Sequence, residues 1–425
     1  MQPQNIPLAD HVDLLTWQDA KFKTARLTVA FFLPLSEETA AQYAILPGIL
    51  THATAAYPDR TALCRYLSRL YGALVSGSVM RIGEHQVLSL TVSCLENRFA
   101  LQQEDVVGAC TDLLLSMLFR PLLAEDGCFD ADIFAEEQRC LLERIAAEIN
   151  DKRLYARKRA DALLADGEAY GISINGTAEE VKALTRETVT AALSTVLETA
   201  KIQWFYTAAE DAAPVAEKIR AAFAPQPRRV YYGNTKTDFI PPAQPRRGSE
   251  TMQVNQAKLV MSFRIAAHEP DTDSVMTGRL LSAVFGGTPH SLLFRVVREK
   301  MSLCYYCLSS FDRMKGVLTV ESGVNADMVE KAERAILEQL DVVRRGDFSE
   351  EELQAALRSV INQLKDSENL QSSAVSWYLA QSVNPPFMTP AQAIELLKKV
   401  DKAAICRLAQ TISLCSVFTI LPEEG

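Results

Sequence analysis

Two stretches of this chain, 216 residues apart, follow one pattern. Lys182-Ala-Leu-Thr-Arg-Glu-Thr-Val189 matches Lys398-Lys-Val-Asp-Lys-Ala-Ala-Ile405. In each, a residue suited to capping a helix, Thr185 or Asp401, opens a helix that runs into an apolar strand, 202–206 or 417–421. In a chain of 425 residues, an offset near half the length is what a tandem duplication leaves. Coincidence between two common helix-then-strand patterns is the alternative. The chain also exceeds the length that one ordinary hydrophobic core serves. The expectation is an α+β fold of two tandem homologous domains, each a mostly antiparallel sheet with helices packed on one face.

The order of elements fits that plan. FKTARLTVAFFLPL (22–35) reads as a strand ending at Pro34, followed by a helix over 37–55. Pro58-Asp59-Arg60-Thr61 caps a second helix, 62–71, and 72–79 pairs with 85–93 about Gly83. Helices are expected over 98–118, 130–164 and 178–197, the last after a Thr177 cap. A strand at 202–208 and a helix at 212–224 then close a first domain, 1–224. Residues 225–250 hold five prolines and little periodicity, so they read as a linker to a second domain, 251–425. There the expected order is strand 253–265, helix 271–284, a Gly-Gly-Thr-Pro turn, helix 292–300, and strands 303–310 and 316–322. Helices follow over 326–345, 349–378 and 389–409, then strand 416–421. Ser349 with Glu352 forms a capping box, and Thr389-Pro390 is a cap followed by proline at the first helical position.

Composition narrows the function. The formal charge is −9 and the pI about 5.3, which disfavours a nucleic-acid binder, since such proteins present a basic face. No apolar run reaches the ~18 to 20 residues of a membrane helix, so no membrane span is expected. Met1-Gln-Pro-Gln-Asn-Ile-Pro7 has neither the basic nor the apolar part of a signal peptide. Nine cysteines, odd in number and set among apolar residues, suggest reduced thiols and a cytoplasmic location.

Five histidines make metal sites easy to judge. None of His11, His268 and His290 has a second histidine at i+3 or i+4, so no two imidazoles share a helix face. Arg81-Ile-Gly-Glu84-His85 looks like a broken H-x-x-E-H, but Gly83 and the strand after it make this a turn. His52, on the helix after the first strand, is by itself a structural histidine. Cys304-Tyr-Tyr-Cys307 has redox spacing. It lies in a strand, however, where residues three apart face opposite sides, so buried packing is the expected role. Gly286-Gly287 lacks the rest of a phosphate loop, and no Gly-x-Ser-x-Gly is present.

Ser291 to Cys307 gathers the most chemistry. A short helix carries Arg298, and Tyr305, seven residues on, enters a strand, an arrangement that could aim a guanidinium and a phenol into one cleft. Phe-Gly-Gly at 285–287, then Ser-x-Leu-Phe, Arg-Glu-Lys and Leu-x-Tyr resemble the second-domain signature of the pitrilysin/insulinase (inverzincin) metallopeptidases. That family includes the mitochondrial processing peptidase. The resemblance implies two tandem α+β domains and runs along nearly the whole chain. It also implies that Arg298 and Tyr305 match an arginine and a tyrosine that hold substrate and stabilise the tetrahedral transition state.

The first-domain signature departs from the family. Where active members carry H-x-x-E-H, this chain has Gly48-Ile-Leu-Thr51-His52. Where they carry a third ligand in E-x-x-V-V-x-E-E-I, it has Glu137-Gln-Arg-Cys-Leu-Leu-Glu143-Arg144-Ile145. Gly48, Thr51, His52 and Arg144 are thus degenerate metal-motif positions. One imidazole without a carboxylate partner does not hold zinc, and Thr51 cannot deprotonate a metal-bound water. An arginine at a ligand position repels a dication or fills its place. No catalytic residue, metal or other cofactor is expected of this chain on its own. Lys21-Phe-Lys-Thr24, Pro34-Leu35, Leu46-Pro47, Tyr57-Pro58 and Leu70-Tyr-Gly-Ala73 resemble a motif-less bacterial branch of the family.

The expected function is a non-catalytic, substrate-positioning subunit of a heterodimeric peptide-processing peptidase, paired with a zinc-bearing homologue or with a second copy of itself. Arg298 and Tyr305 would touch the peptide. The alternative is a peptide-binding or scaffold protein, for which 253–265 is the candidate edge strand. A zinc hydrolase with relocated ligands is the third reading, and it lacks a second histidine placed to help His52.

Overall fold

The computed structural model describes residues 3–229, 242–266, 268–384 and 386–423. The first half runs β1 (Gln4–Ala9), β2 (Val12–Gln18), β3 (Thr24–Pro34), α1 (Glu37–His52), α2 (Arg60–Arg69), β4 (Leu74–Ile82) and β5 (His85–Leu95). It continues through α3 (Val106–Phe119), α4 (Ala131–Ala147), α5 (Lys152–Leu164), α6 (Ala178–Ala183), α7 (Arg186–Thr199), β6 (Lys201–Ala208) and α8 (Ala213–Phe223). The second half runs β7 (Arg246–Met252), β8 (Ala257–Ile265), α9 (Thr272–Ser282), β9 (Cys304–Asp312), β10 (Val317–Val324), α10 (Val329–Arg345) and α11 (Glu350–Ser367). It ends with α12 (Gln371–Leu379), α13 (Pro390–Leu397), α14 (Lys402–Gln410) and β11 (Ile412–Pro422). Two π-helical segments, Ala283–Gly287 and Leu293–Lys300, lie between α9 and β9.

The chain forms two compact units. The first comprises Met1–Ala146, Ile172–Thr235 and Gln371–Phe387. The second comprises Ala147–Gly171, Lys236–Leu370 and Met388–Gly425. The first sheet has the order β1-β2-β6-β3-β5-β4 and the second β7-β11-β8-β10-β9. Without the extra strand β1, both follow one scheme. The first strand pairs parallel with the last, and the last, second, fourth and third strands then follow antiparallel. Such an unusual order repeated twice matches the duplication read from the 216-residue offset.

Thr185 and Asp401 do cap helices: their side chains accept from the Thr188 and Ala404 backbone amides. The Ser349/Glu352 and Thr389/Gln392 capping boxes are formed as well. Several elements end sooner than the pattern suggests. The helix expected over 130–164 breaks at Asp151, whose carboxylate accepts from the Arg153 and Leu154 amides and so starts α5 afresh. The helix expected over 178–197 breaks at Leu184, where Thr185 caps α7. That over 349–378 divides into α11 and α12. Strands β1 and β2 have no counterpart in the sequence reading. Within the expected linker, 246–250 already belong to β7, a polar edge strand, and 230–241 lie outside the described residues.

The main core of the first unit packs α1, α3, α7 and α8 against alternate residues of β3 (Leu27, Val29, Phe31 and Leu33) together with Ile202, Trp204 and Tyr206 of β6. The other face of this sheet is buried too: Ala30, Phe32 and Phe205 are 0 % exposed, and α12 packs on β3 and β6. Burial on both faces explains why β3 reads as a continuous apolar run. The second unit repeats the arrangement. Ala156 and Ala160 of α5, both fully buried, let that helix lie close against Val260, Phe418 and Ile420 of β8 and β11. The two cover helices are therefore exchanged in sequence. A segment of the first half covers the second sheet, and a segment of the second half covers the first.

Candidate functional site

In the first unit, α1 carries three of the degenerate motif positions. Pro47 sits inside this helix and supplies no amide to its ladder. It is accommodated because β4 passes directly above at Gly77, where a Cβ would stand 2.7 Å from the Pro47 Cβ. The Thr51 hydroxyl donates back to the Pro47 carbonyl at 2.7 Å, so the residue at the general-base position serves its own helix.

His52 is 8 % exposed and does not stand alone. Its Nδ1 lies 3.2 Å from Glu137 Oε1 on α4, and its Nε2 lies 3.9 Å from Glu136 Oε2. Arg60, at the start of α2, reaches over the same group. Its Nη2 is 3.3 Å from Glu137 Oε1 and 3.8 Å from Glu136 Oε1, and its Nε is 3.4 Å from His52 Nδ1. One ring nitrogen cannot donate to Glu137 and also accept from Arg60. The closer carboxylate fixes Nδ1–H as the donor and leaves the guanidinium to the two glutamates.

Sequence reasoning missed Arg60, Glu136 and Glu137 as partners of His52. A signal existed: Ile133, Phe134, Glu137 and Leu141 share the buried stripe of α4, and a carboxylate on such a stripe requires an internal partner. Arg144 lies on the exposed part of α4. Among the described residues its side chain makes no hydrogen bond or ion pair, so the cation that balances the glutamates is Arg60.

This set does not fit a zinc site of the H-x-x-E-H kind. A Cβ at Gly48 would stand 2.2 Å from Glu137 Oε2, so the space of the first motif histidine is taken by a carboxylate. A guanidinium already supplies the positive charge between Glu136 and Glu137. Among the described residues, no three His, Cys, Asp or Glu side chains converge in a way that could hold a metal ion.

In the second unit, Arg298 lies near the end of the π-helix Leu293–Lys300. Its guanidinium stacks 4.5 Å from the Phe294 ring centroid and approaches Glu299 at 3.5 Å. Ser302, with φ of 51°, turns the chain into β9. Tyr305 is then 60 % exposed. Among the described residues, no hydrogen bond joins it to Arg298.

The β9–β10 register contains a bulge: Gly323 pairs with Tyr306, whereas Val324 pairs with Cys304. Tyr305 is the extra residue, re-aimed outward as bulged residues are. The bulge also corrects the reading of the cysteines. Cys304 sits opposite Val324 and Cys307 opposite Ser322, two residues apart, so both thiols lie on one face rather than on opposite ones. The Cys307 thiol donates to Cys304, and with help from Ser322 and the charge of Arg298 it holds the Cys304 thiol down to about 7 against the opposing effect of burial. Its hydrogen bond to Cys304, then burial and the charge that Cys304 carries when ionised, push Cys307 up.

The proposed peptide edge at 253–265 is also corrected. Its ordered part, β8, lies between β11 and β10 with both sides paired, and the edges of this sheet are β7 and β9. No helix among the described residues is long and apolar enough to cross a membrane.

Two duplicated α+β units thus carry a salt-bridged cluster where the resemblance would place a zinc motif. Comparison with known proteins agrees with the resemblance read from the sequence. Residues 183–360 match the family model described as "Peptidase M16 inactive domain". The chain is 27 % identical over 407 residues to "Probable inactive metalloprotease YmfF" of Bacillus subtilis (strain 168), covering 95 % of this chain and 94 % of that protein. A conserved protein from Enterococcus faecalis V583 shares the fold with a TM-score of 0.90 at 23 % identity, over 100 % of this chain and 99 % of that one. A peptidase M16 inactive domain from Pseudomonas fluorescens does so with a TM-score of 0.76 at 16 % identity, over 100 % and 99 %. The chain is thus similar, along nearly its whole length, to an inactive homologue of the M16, or pitrilysin/insulinase, metallopeptidases.

Proposed function

We propose that this chain is the non-catalytic subunit of a peptide-processing peptidase, positioning peptide substrate for a homologue that bears the zinc. The observation that carries the reading is the asymmetry between its two motif regions. The metal region is rebuilt as a His52–Glu137–Arg60 cluster. The second-domain pair is kept: Tyr305 is turned outward by a bulge, and the Arg298 side chain is 39 % exposed. An inert chain has no need of an exposed tyrosine on an irregular strand. A guanidinium and a phenol are groups that bind a peptide carbonyl and stabilise the oxyanion formed from it.

Co-purification with a homologue carrying an intact H-x-x-E-H, followed by peptide cleavage assays, tests the proposal. The pair should cleave, this chain alone should not, and zinc should be stoichiometric only on the partner. Arg298→Ala and Tyr305→Phe should each lower turnover by about a hundred- to a thousandfold, as loss of an oxyanion donor does. Unchanged turnover in both variants refutes the positioning role. Peptide affinity in the isolated chain, with no homologue bound, would favour the scaffold reading instead.

A further inference from the structure

The Cys304-x-x-Cys307 spacing acquires a use once the register of β9 is known. The bulge at Tyr305 places Cys304 opposite Val324 and Cys307 opposite Ser322, so both side chains project from one face of the strand. Two residues of extended chain separate their backbones by roughly 6.5 Å. That distance lies within the span a disulfide bridges, toward its upper end. The thiols already meet, the Cys307 S–H donating to Cys304, and neither is bridged. Strand β9 stands at the sheet edge, paired to β10 alone among the described strands, so it can draw the cysteines together without disturbing a second ladder.

The two cysteines differ as a nucleophile and a resolving thiol differ. Cys304 retains 9 % exposure, and the exposed Ser302 and Tyr305 flank it in the chain. The hydrogen bond from Cys307, and then the Arg298 charge, favour its thiolate. Cys307 is buried more deeply and keeps its proton. A second pair of neighbouring thiols, Cys94 and Cys110, lacks this asymmetry. Both are buried, and the contact with Cys110, then burial, push the Cys94 thiol up.

We propose that Cys304 and Cys307 form a reversible disulfide, made and broken by exchange with low-molecular-weight disulfides and thiols. The Cys304 thiolate attacks one sulfur of a disulfide RS–SR. A mixed disulfide forms, and RS⁻ leaves and takes the proton that Cys304 gave up. Cys307 then loses its proton and attacks the Cys304 sulfur, expelling the second RS⁻, which that proton neutralises. Two cysteine thiols are thereby oxidised to one disulfide, and RS–SR is reduced to two RSH. The bridge spans Tyr305, so oxidation acts on the residue that the bulge turns outward. The site does not depend on a peptidase role.

The test is incubation of the full chain with oxidised glutathione at neutral pH, followed by unfolding, alkylation and tryptic mapping. Both cysteines fall in one tryptic peptide, 301–313. That peptide should lose two hydrogens and take up no alkylating agent, and reduced glutathione should restore both thiols. Cys94 and Cys110 should stay fully alkylated. Cys307→Ala should halt the reaction at a glutathione adduct on Cys304, and Cys304→Ala should slow modification of the peptide by at least about tenfold. A wild-type peptide that keeps both thiols free, or that ends as a stable glutathione adduct, would overturn the proposal, and both results are read without any variant. Oxidation of Cys94 with Cys110 at an equal rate would overturn it too, since closeness alone would then suffice.

Discussion

Gly48 and Glu137 meet so closely that one methyl group can probe the rebuilt metal region. In a helix interior, Gly→Ala ordinarily stabilises by about 0.5–1 kcal/mol. Here the new Cβ would stand 2.2 Å from Glu137 Oε2 and 2.9 Å from its Cδ, so the carboxylate must leave its place. That carboxylate is 7 % exposed and held by His52 at 3.2 Å and Arg60 at 3.3 Å. Disturbing charge-assisted bonds of this kind at a buried group costs about 1.5–3 kcal/mol. Gly48→Ala should therefore destabilise by about 1–2 kcal/mol net, the helix gain offsetting part of the loss. In a Glu137→Ala background the space is free, and the same substitution should stabilise by about 0.5–1 kcal/mol. A double-mutant cycle by urea unfolding, with unchanged m-values, measures the coupling, expected at about 2–3 kcal/mol. Equal effects in both backgrounds would show that Glu137 does not occupy the motif-histidine space, and the argument against zinc would lose its geometric basis.

The depressed Cys304 thiol should show in alkylation. With the exposed Cys64 and the half-buried Cys128, Cys140 and Cys406 replaced by serine, Cys304 should react with a midpoint near pH 7, because its thiolate persists down to about that pH and is lost below it. Cys307→Ala should move the midpoint upward, and further than Arg298→Ala does; no movement in either would contradict the shared face. Ala156 lies fully buried under the second sheet, so Ala156→Leu should overpack it and destabilise by about 1–3 kcal/mol in urea unfolding. Ser349→Ala removes the cap of α11 and should cost about 1 kcal/mol by the same measurement.

Local signals were legible where capping and periodicity agree. Thr185, Asp401, Ser349 and Thr389 marked true helix starts because a side-chain oxygen next to an amphipathic run has one dominant use. Those residues also revealed the duplication. The break at Asp151 was hidden because apolar periodicity continues across it, while α4 belongs to the core of the first unit and α5 packs on the second sheet. The exposed edge β7 was hidden by its polarity, which reads as loop until β11 is known to lie beside it. At the metal region the losses at Gly48 and Thr51 were visible in the sequence. The replacement partners were not, since Arg60 and Glu137 are 77 residues apart and meet only in the folded chain. The bulge at Tyr305 is a register property of two strands, invisible in either one, and it reversed the expected orientation of a cysteine.

The exchange of α5 and α12 constrains how this protein comes into being on the ribosome. When the first 229 residues have emerged, Phe32 and Phe205 still await the segment 371–387, and α5 has no sheet to lie on. The nascent first half thus exposes an apolar face throughout synthesis of most of the second, a condition that invites chaperone binding. Neither unit is complete until the chain has passed residue 387, so its maturation is a late event rather than a domain-by-domain one.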